Sequence, residues 1–345
     1  MDDLHLERAW GVRLEPQPRY GHSIHCWFGL EGRTIAWTVD WEAGPVVSML
    51  ALETGMELHR ETVAVQRVFP THVGFIAEDR GWPDPRPRIL GLRPRSGQGD
   101  VEVTAVDRPE GMQLIGAAPD GEHIFTWREG IGELRAWPSL AVLRTWPGWA
   151  PGVDWEGGYV WLSGGGRSVL FRALDDTWSW SLGTRTGWVV PVGRGLVQVG
   201  WHGIHMVDPV RRWSVWVLPP TVRSLPPVSV AADGHGLRVV LGGRPRRFDL
   251  DRDHGLLRAV PGDAARLAQA PDRLPRNDAI WHPQRDLVAY ARRWPRVAVR
   301  RLDGTVAWRL PDGSTPQAWS PDGQALALTR QAPTGWVLEV WRAGG

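Results

Sequence analysis

A unit of about forty residues, repeated from end to end, constrains this chain more than any other feature of its sequence. The clearest copy is Ala318-Trp319-Ser320-Pro321-Asp322-Gly323-Gln324-Ala325-Leu326-Ala327-Leu328, which reads as a strand, a tight turn and a second, alternating strand. Proline presets φ at the first corner of such a turn, and glycine accepts the positive φ that other residues resist. The plan recurs at Ala118-Pro119-Asp120-Gly121 before His123-Ile124-Phe125-Thr126-Trp127, and at Ala232-Asp233-Gly234. It recurs once more at Trp281-His282-Pro283-Gln284 before Leu287-Val288-Ala289-Tyr290. Marking each turn by Gly32, Gly74, Gly121, Gly157, Gly195, Gly236, Asp286 and Gly323 gives eight turns, spaced 42, 47, 36, 38, 41, 50 and 37 residues apart.

Between the turns the chain alternates with period two and is rich in Val, Trp and Leu, with glycine and proline too frequent for helical repeats. Third strands read at Val47–Leu52, Val169–Leu174 and Val337–Trp341, and fourth strands at Val142–Trp146, Trp213–Trp216 and Val306–Leu310. Four antiparallel strands per period specify an all-β fold, a β-propeller of four-stranded blades. Eight blades are expected, or seven if one of the weaker turns at Gly32, Gly74 or Gly195 is miscounted. Their approximate bounds are 22–62, 63–108, 112–147, 150–185, 186–220, 226–262, 277–310 and 315–343, within one domain, 1–345. The last repeat ends with three strands, while a spare alternating segment, 4–14, precedes the first. An unpaired sheet edge is a liability, so the N-terminal segment is expected to supply the outer strand of the last blade and close the ring.

Trp319-Ser320-Pro321-Asp322-Gly323 with Leu326-Ala327, and Trp281-His282-Pro283, resemble the strand–turn–strand signature of WD40-like and TolB-type propeller repeats. The hairpin Leu50-Ala51-Leu52-Glu53-Thr54-Gly55-Met56-Glu57-Leu58 is more similar to quinoprotein-type propeller repeats. The Gly-His and Trp-Asp dipeptides of WD40 repeats are mostly absent, so the buried network they make in that family is not carried over. No vicinal cysteine pair is present, and no quinone or other cofactor is expected.

All 40 basic side chains are arginine and balance 38 acidic ones to a net charge of +2, so a strongly basic surface for nucleic acid is not indicated. The run Arg292-Arg293-Trp294-Pro295-Arg296 spans a hairpin that splits its charges between two faces. Cys26 stands alone, which suits a reducing compartment. Met1-Asp2-Asp3-Leu4-His5 lacks the apolar core of a secretory signal, and no apolar stretch is long enough to span a bilayer. A cytoplasmic protein, monomeric on its own, is expected.

Two insertions exceed the minimal blade. One is the proline-rich stretch Asp79–Arg88. The other is Asp251–Asp278, in which Asp263 precedes the helix formers of 264–270, predicting one short helix over 263–270.

No catalytic constellation emerges. His22, His25 and Cys26 suggest metal ligands, but strand residues three apart face opposite sides, and the same objection applies to His202 and His205. Ser163-Gly164-Gly165-Gly166 and Gly242-Gly243 read as hairpin turns and not as a nucleophile elbow, and no phosphate loop precedes a helix. Among 23 tryptophans, Trp37, Trp127, Trp161, Trp216, Trp308 and Trp319 fall at strand positions that fill the gaps between blades. Trp41, Trp82, Trp149, Trp155, Trp201 and Trp294 fall in or beside turns, where an exposed tryptophan suits an interface. Trp82, Arg86, Arg88, Trp155, Trp201 and Trp294 are therefore the candidate partner-binding residues. The expectation is a non-enzymatic binding or scaffold protein whose propeller face meets another protein in a cytoplasmic complex. The alternative is an enzyme or small-ligand binder with its site at the mouth of the central channel.

Overall fold

The computed structural model describes residues 5–15, 24–39, 46–81, 86–95, 100–148, 150–152, 159–164, 167–172, 179–181, 188–192, 195–200, 203–208, 213–218, 227–233, 236–241, 244–251, 256–259, 280–283, 285, 287–291, 297–301 and 305–344. Their strands form eight four-stranded antiparallel sheets. Seven are consecutive meanders, over 24–61, 65–107, 113–147, 150–181, 188–218, 227–259 and 280–309. They are numbered here as sheets one to seven. The eighth sheet takes Ser314–Trp319, Ala325–Ala332 and Gly335–Ala343, with Leu6–Arg13 as its outermost strand. That strand runs antiparallel to Gly335–Ala343 from Leu6 opposite Ala343 to Arg13 opposite Val337. Residues 263–270, the expected helix, lie outside the described residues. The second insertion is shorter than the sequence implied, because Leu256–Ala259 is the fourth strand of sheet six, with Leu257 buried. Four residues with one buried leucine carry too little alternation to be read as a strand.

The repeated turn explains why each strand pair forms where it does. In sheets one, three and eight, the N–H at position 29, 118 or 320 donates to the carbonyl five residues on, at 2.8–2.9 Å. In each, the glycine three residues on (Gly32, Gly121, Gly323) closes the turn with φ near +70° and an N–H bond back to that first residue. The aspartate of the motif is structural: Asp120 Oδ1 accepts the N–H of Glu122 at 2.8 Å and of His123 at 3.2 Å. Asp322 Oδ1 likewise accepts the Gln324 N–H at 3.0 Å and the Ser320 hydroxyl at 2.6 Å. Such Asx turns set the hairpin locally, before any tertiary contact.

Packing then arranges the sheets face to face. The middle strands Thr34–Val39 and Gly74–Asp79 are buried at every position, whereas outer strands such as Val101–Asp107 are half exposed. Alternation therefore decides which neighbouring sheet a side chain meets. Ile35, Trp37 and Val39 of sheet one pack with Ala327 and Leu338 of sheet eight, while the intervening Ala36 packs with Phe75 and Leu90 of sheet two. Ile76 and Ile89 of sheet two turn the other way, onto Leu114 and Ile124 of sheet three. Similar cores join sheets five and six through Val197 and Leu237, and sheets seven and eight through Val299 and Leu328. Trp37 and Trp319 are buried and Trp127 and Trp308 half-buried, while the side chains of Trp161 and Trp216 lie outside the described ones. Outer strands of sheets one, three, five, seven and eight each carry a register shift at one point against the third strand. Such bulges twist exposed edges away from edge-to-edge pairing.

Candidate functional site

The antiparallel meander puts the first–second and third–fourth turns of a sheet at the same end of that sheet. At that end, sheets two and three leave between them a cleft of about 390 Å³. Sheet two supplies Thr71 and Phe75 from its first hairpin, Gly91–Arg93 from its third strand, and Glu102 and Thr104 from its fourth. Sheet three supplies the turn residues Gly121, Glu122 and His123 with Trp137 and Pro138.

Local chemistry fixes each wall. The His72 N–H donates to the Pro119 carbonyl at 2.7 Å, tying together the two turns whose neighbours Thr71 and Gly121 line the cleft. The Trp137 N–H donates to the Glu122 carbonyl at 2.7 Å, which brings the indole-bearing and carboxylate-bearing residues side by side. The indole edge lies on bare backbone: a Cβ at Gly91 would stand 3.0 Å from Trp137 Cζ2. His123 Nδ1 lies 2.8 Å from Asp120 Oδ2, so the carboxylate orients the imidazole. Arg93 stands opposite Glu102 in the strand register, and Arg95 approaches Glu102 at 3.9 Å. Glu122 is exposed and forms no ion pair with a described basic side chain. This mixture of one aromatic wall, charged rims and hydroxyls suits binding and orientation; its volume lies near the small end of the range of roughly 300–1,000 Å³ for ligand pockets.

Buried charges elsewhere are occupied in holding sheets together. Arg88 bridges Asp79 of its own sheet at 3.1 Å and Glu61 of sheet one at 3.3 Å. The His59 imidazole, 3.7 Å away, assisted by Arg88, holds the Glu61 carboxyl below its ordinary range. Glu78 of sheet two accepts from Arg108 and, at 3.1 Å, from the Leu114 N–H of sheet three. Glu133 and Arg135 pair at 2.7 Å in sheet three, and Glu339 and Arg330 at 2.7 Å in sheet eight. Arg238 of sheet six, fully buried, reaches across to sheet seven and donates to the carbonyls of His282, Pro283 and Arg285.

The candidate residues from the sequence divide sharply. Trp82, Trp155, Trp201 and Trp294 lie outside the described residues, as do Trp41, Trp149, His22 and His202. Arg86 is exposed, whereas Arg88 is committed to the intersheet bridge just described. His25 is exposed beside buried Cys26, whose thiol burial pushes far up from its ordinary range. His205 is buried, and that burial lowers its pKa. No group of three potential metal ligands occurs among the described residues. None of the cleft residues was proposed as a site from the sequence. The one signal was Pro119-Asp120-Gly121, which marks a turn but not what stands opposite it.

Fold and pairing define a β-propeller with four-stranded antiparallel blades. No family model matches the chain, and no curated protein does. Among solved structures it resembles the Pan2 WD40 domain of Neurospora crassa, at 11% identity and TM-score 0.52, covering 100% of this chain and 97% of that one. It resembles Raptor of Chaetomium thermophilum at 13% identity and TM-score 0.51, over 99% of this chain but only 29% of Raptor. It also resembles the dihydro-heme d1 dehydrogenase NirN, solved in complex with DHE, at 11% identity and TM-score 0.58, over 98% and 79% of the two chains. At these identities the likeness is one of fold. No helix among the described residues is long and apolar enough to cross a membrane.

Proposed function

We propose that the eight sheets stand as the blades of one ring, closed through Leu6–Arg13, and that this ring is a non-enzymatic binding protein presenting a loop face to another protein in a cytoplasmic complex. The observation that carries the reading is the use made of buried charge. Buried Glu78, Asp79, Glu133, Glu339 and Arg238, and half-buried Glu61, are each engaged by neighbouring strands or sheets, as structural groups, and the polar cleft between sheets two and three opens at the surface. A rigid scaffold with its mixed polar groups on turns is how propellers present binding surfaces. Fold neighbours include a WD40 domain, which supports the reading, and a dehydrogenase, which supports the second. That second reading, a small ligand or substrate at the channel mouth, draws on His25, Gln66 and Gln113, exposed side chains on the first strands of three successive sheets.

The test is native co-purification followed by reconstitution. A partner identified by mass spectrometry, expressed separately and mixed with the purified chain, is expected to co-elute at fixed stoichiometry. No reconstitutable protein partner in repeated preparations would overturn the binding-protein reading.

A further inference from the structure

We infer that the cleft between sheets two and three receives a basic side chain, the guanidinium or ammonium group of an arginine or lysine presented by the partner. The inference rests on the binding-protein reading above and names the chemistry of what is bound.

A carboxylate placed beside an aromatic wall carries it. Three charged residues border the cleft: Glu102, Glu122 and Arg93. Glu102 has Arg95 at 3.9 Å and stands opposite Arg93 in the register, so arginines offset its carboxylate. Asp120 is consumed by its own turn and by His123. Glu122 is the lining carboxylate that no described arginine offsets. Its backbone carbonyl anchors Trp137, so the free carboxylate and the indole occupy one corner of the cleft. An aromatic wall beside a carboxylate is the arrangement that attracts a cation through both ring quadrupole and charge. The space available exceeds a single side chain, leaving room for the adjoining backbone of an inserted loop. Arginine is favoured over lysine, because its planar guanidinium can stack on the indole while bonding the carboxylate.

The probes are two capped tripeptides, acetyl-Gly-Arg-Gly-amide and its citrulline counterpart, titrated into the ¹⁵N-labelled full chain. The indole N–H resonance of residue 137 is assigned by its disappearance in Trp137→Phe. The arginine peptide is expected to shift that resonance saturably. Binding should weaken about fivefold or more for citrulline, and equally in Glu122→Gln. Glu122 is exposed, so Glu122→Gln should keep the wild-type circular dichroism and melting temperature. The proposal is overturned if the resonance does not respond, or if citrulline binds as well as arginine. It is also overturned if acetyl-Gly-Glu-Gly-amide binds instead and loses its binding in Arg93→Ala. These measurements need no cellular partner, which separates the two ideas. Arginine binding without any reconstitutable partner would defeat the binding-protein reading and leave the cleft's cation preference in place. A reconstituted partner indifferent to Glu122→Gln would defeat the cleft proposal alone.

Discussion

Replacing Arg238 by methionine should destabilise the protein far more than its apolar surroundings suggest. The side chain is 2% exposed and extends from sheet six into the first turn of sheet seven, where it donates to three carbonyls. Methionine fills similar space but donates nothing, so those carbonyls lose their partner. The His282 carbonyl is buried and would bear most of the penalty for an orphaned acceptor, about 2 kcal/mol. Pro283 is half-buried and Arg285 exposed, so water can partly replace the guanidinium there, at about 0.5 kcal/mol each. The sum, about 3 kcal/mol, is roughly two decades in the unfolding equilibrium. Burying a guanidinium is itself costly, and replacing buried ionic groups with apolar ones is sometimes neutral. The outcome therefore tests whether turn capping outweighs desolvation. Urea unfolding followed by far-UV circular dichroism gives the global change, and amide exchange at Leu287–Ala289 reports whether the seventh sheet loosens first. A loss below about 1 kcal/mol, with unchanged exchange in that strand, would refute the capping argument.

Other expectations follow from the same geometry. Gly323→Ala and Gly32→Ala impose the same left-handed φ, +70° and +71°, but only the former drives a Cβ to 2.3 Å from the His282 ring. Gly32→Ala should cost about 1 kcal/mol and Gly323→Ala at least twice that in thermal or urea unfolding. Trp10 donates to the Leu52 carbonyl at 2.8 Å and packs on Gly55, tying the outermost strand of sheet eight to sheet one. Trp10→Ala should cost about 2–3 kcal/mol and promote association through the loosened edge, read by unfolding and light scattering. His282 is buried, and desolvation, then Arg285 and Arg238, lower its pKa from 6.5 to about 4. Between those values the unfolded chain binds the proton and the folded chain does not, so the stability it contributes is complete above pH 6.5. That stability falls away as the pH drops towards 4, by about 3 kcal/mol in all. His282→Gln should flatten the stability profile over that window; an unchanged slope would mean that other groups carry it.

What the sequence alone determined is the local part of this molecule. Pro-Asp-Gly and its variants specify hairpins because their hydrogen bonds close within five residues, as at Ser320–Ala325 and Ala118–His123. Period-two alternation specifies strands, and the unmatched segment at each chain end implied the pairing of Leu6–Arg13 with Gly335–Ala343. Alternation says that Trp37 and Ala36 point opposite ways, but not that one meets sheet eight and the other sheet two. Only face-to-face packing of the sheets decided that. For the same reason Arg88, read in the sequence as a surface contact, became a bridge to Glu61, and Arg238, unremarked there, became a clamp on a turn 44 residues away. The cleft is the extreme case. Gly91 and Trp137 are remote in sequence, and an indole edge on bare backbone exists only once two blades have docked. Side-chain identity gives the chemistry available, but the distance between groups on separate hairpins is a property of the tertiary packing.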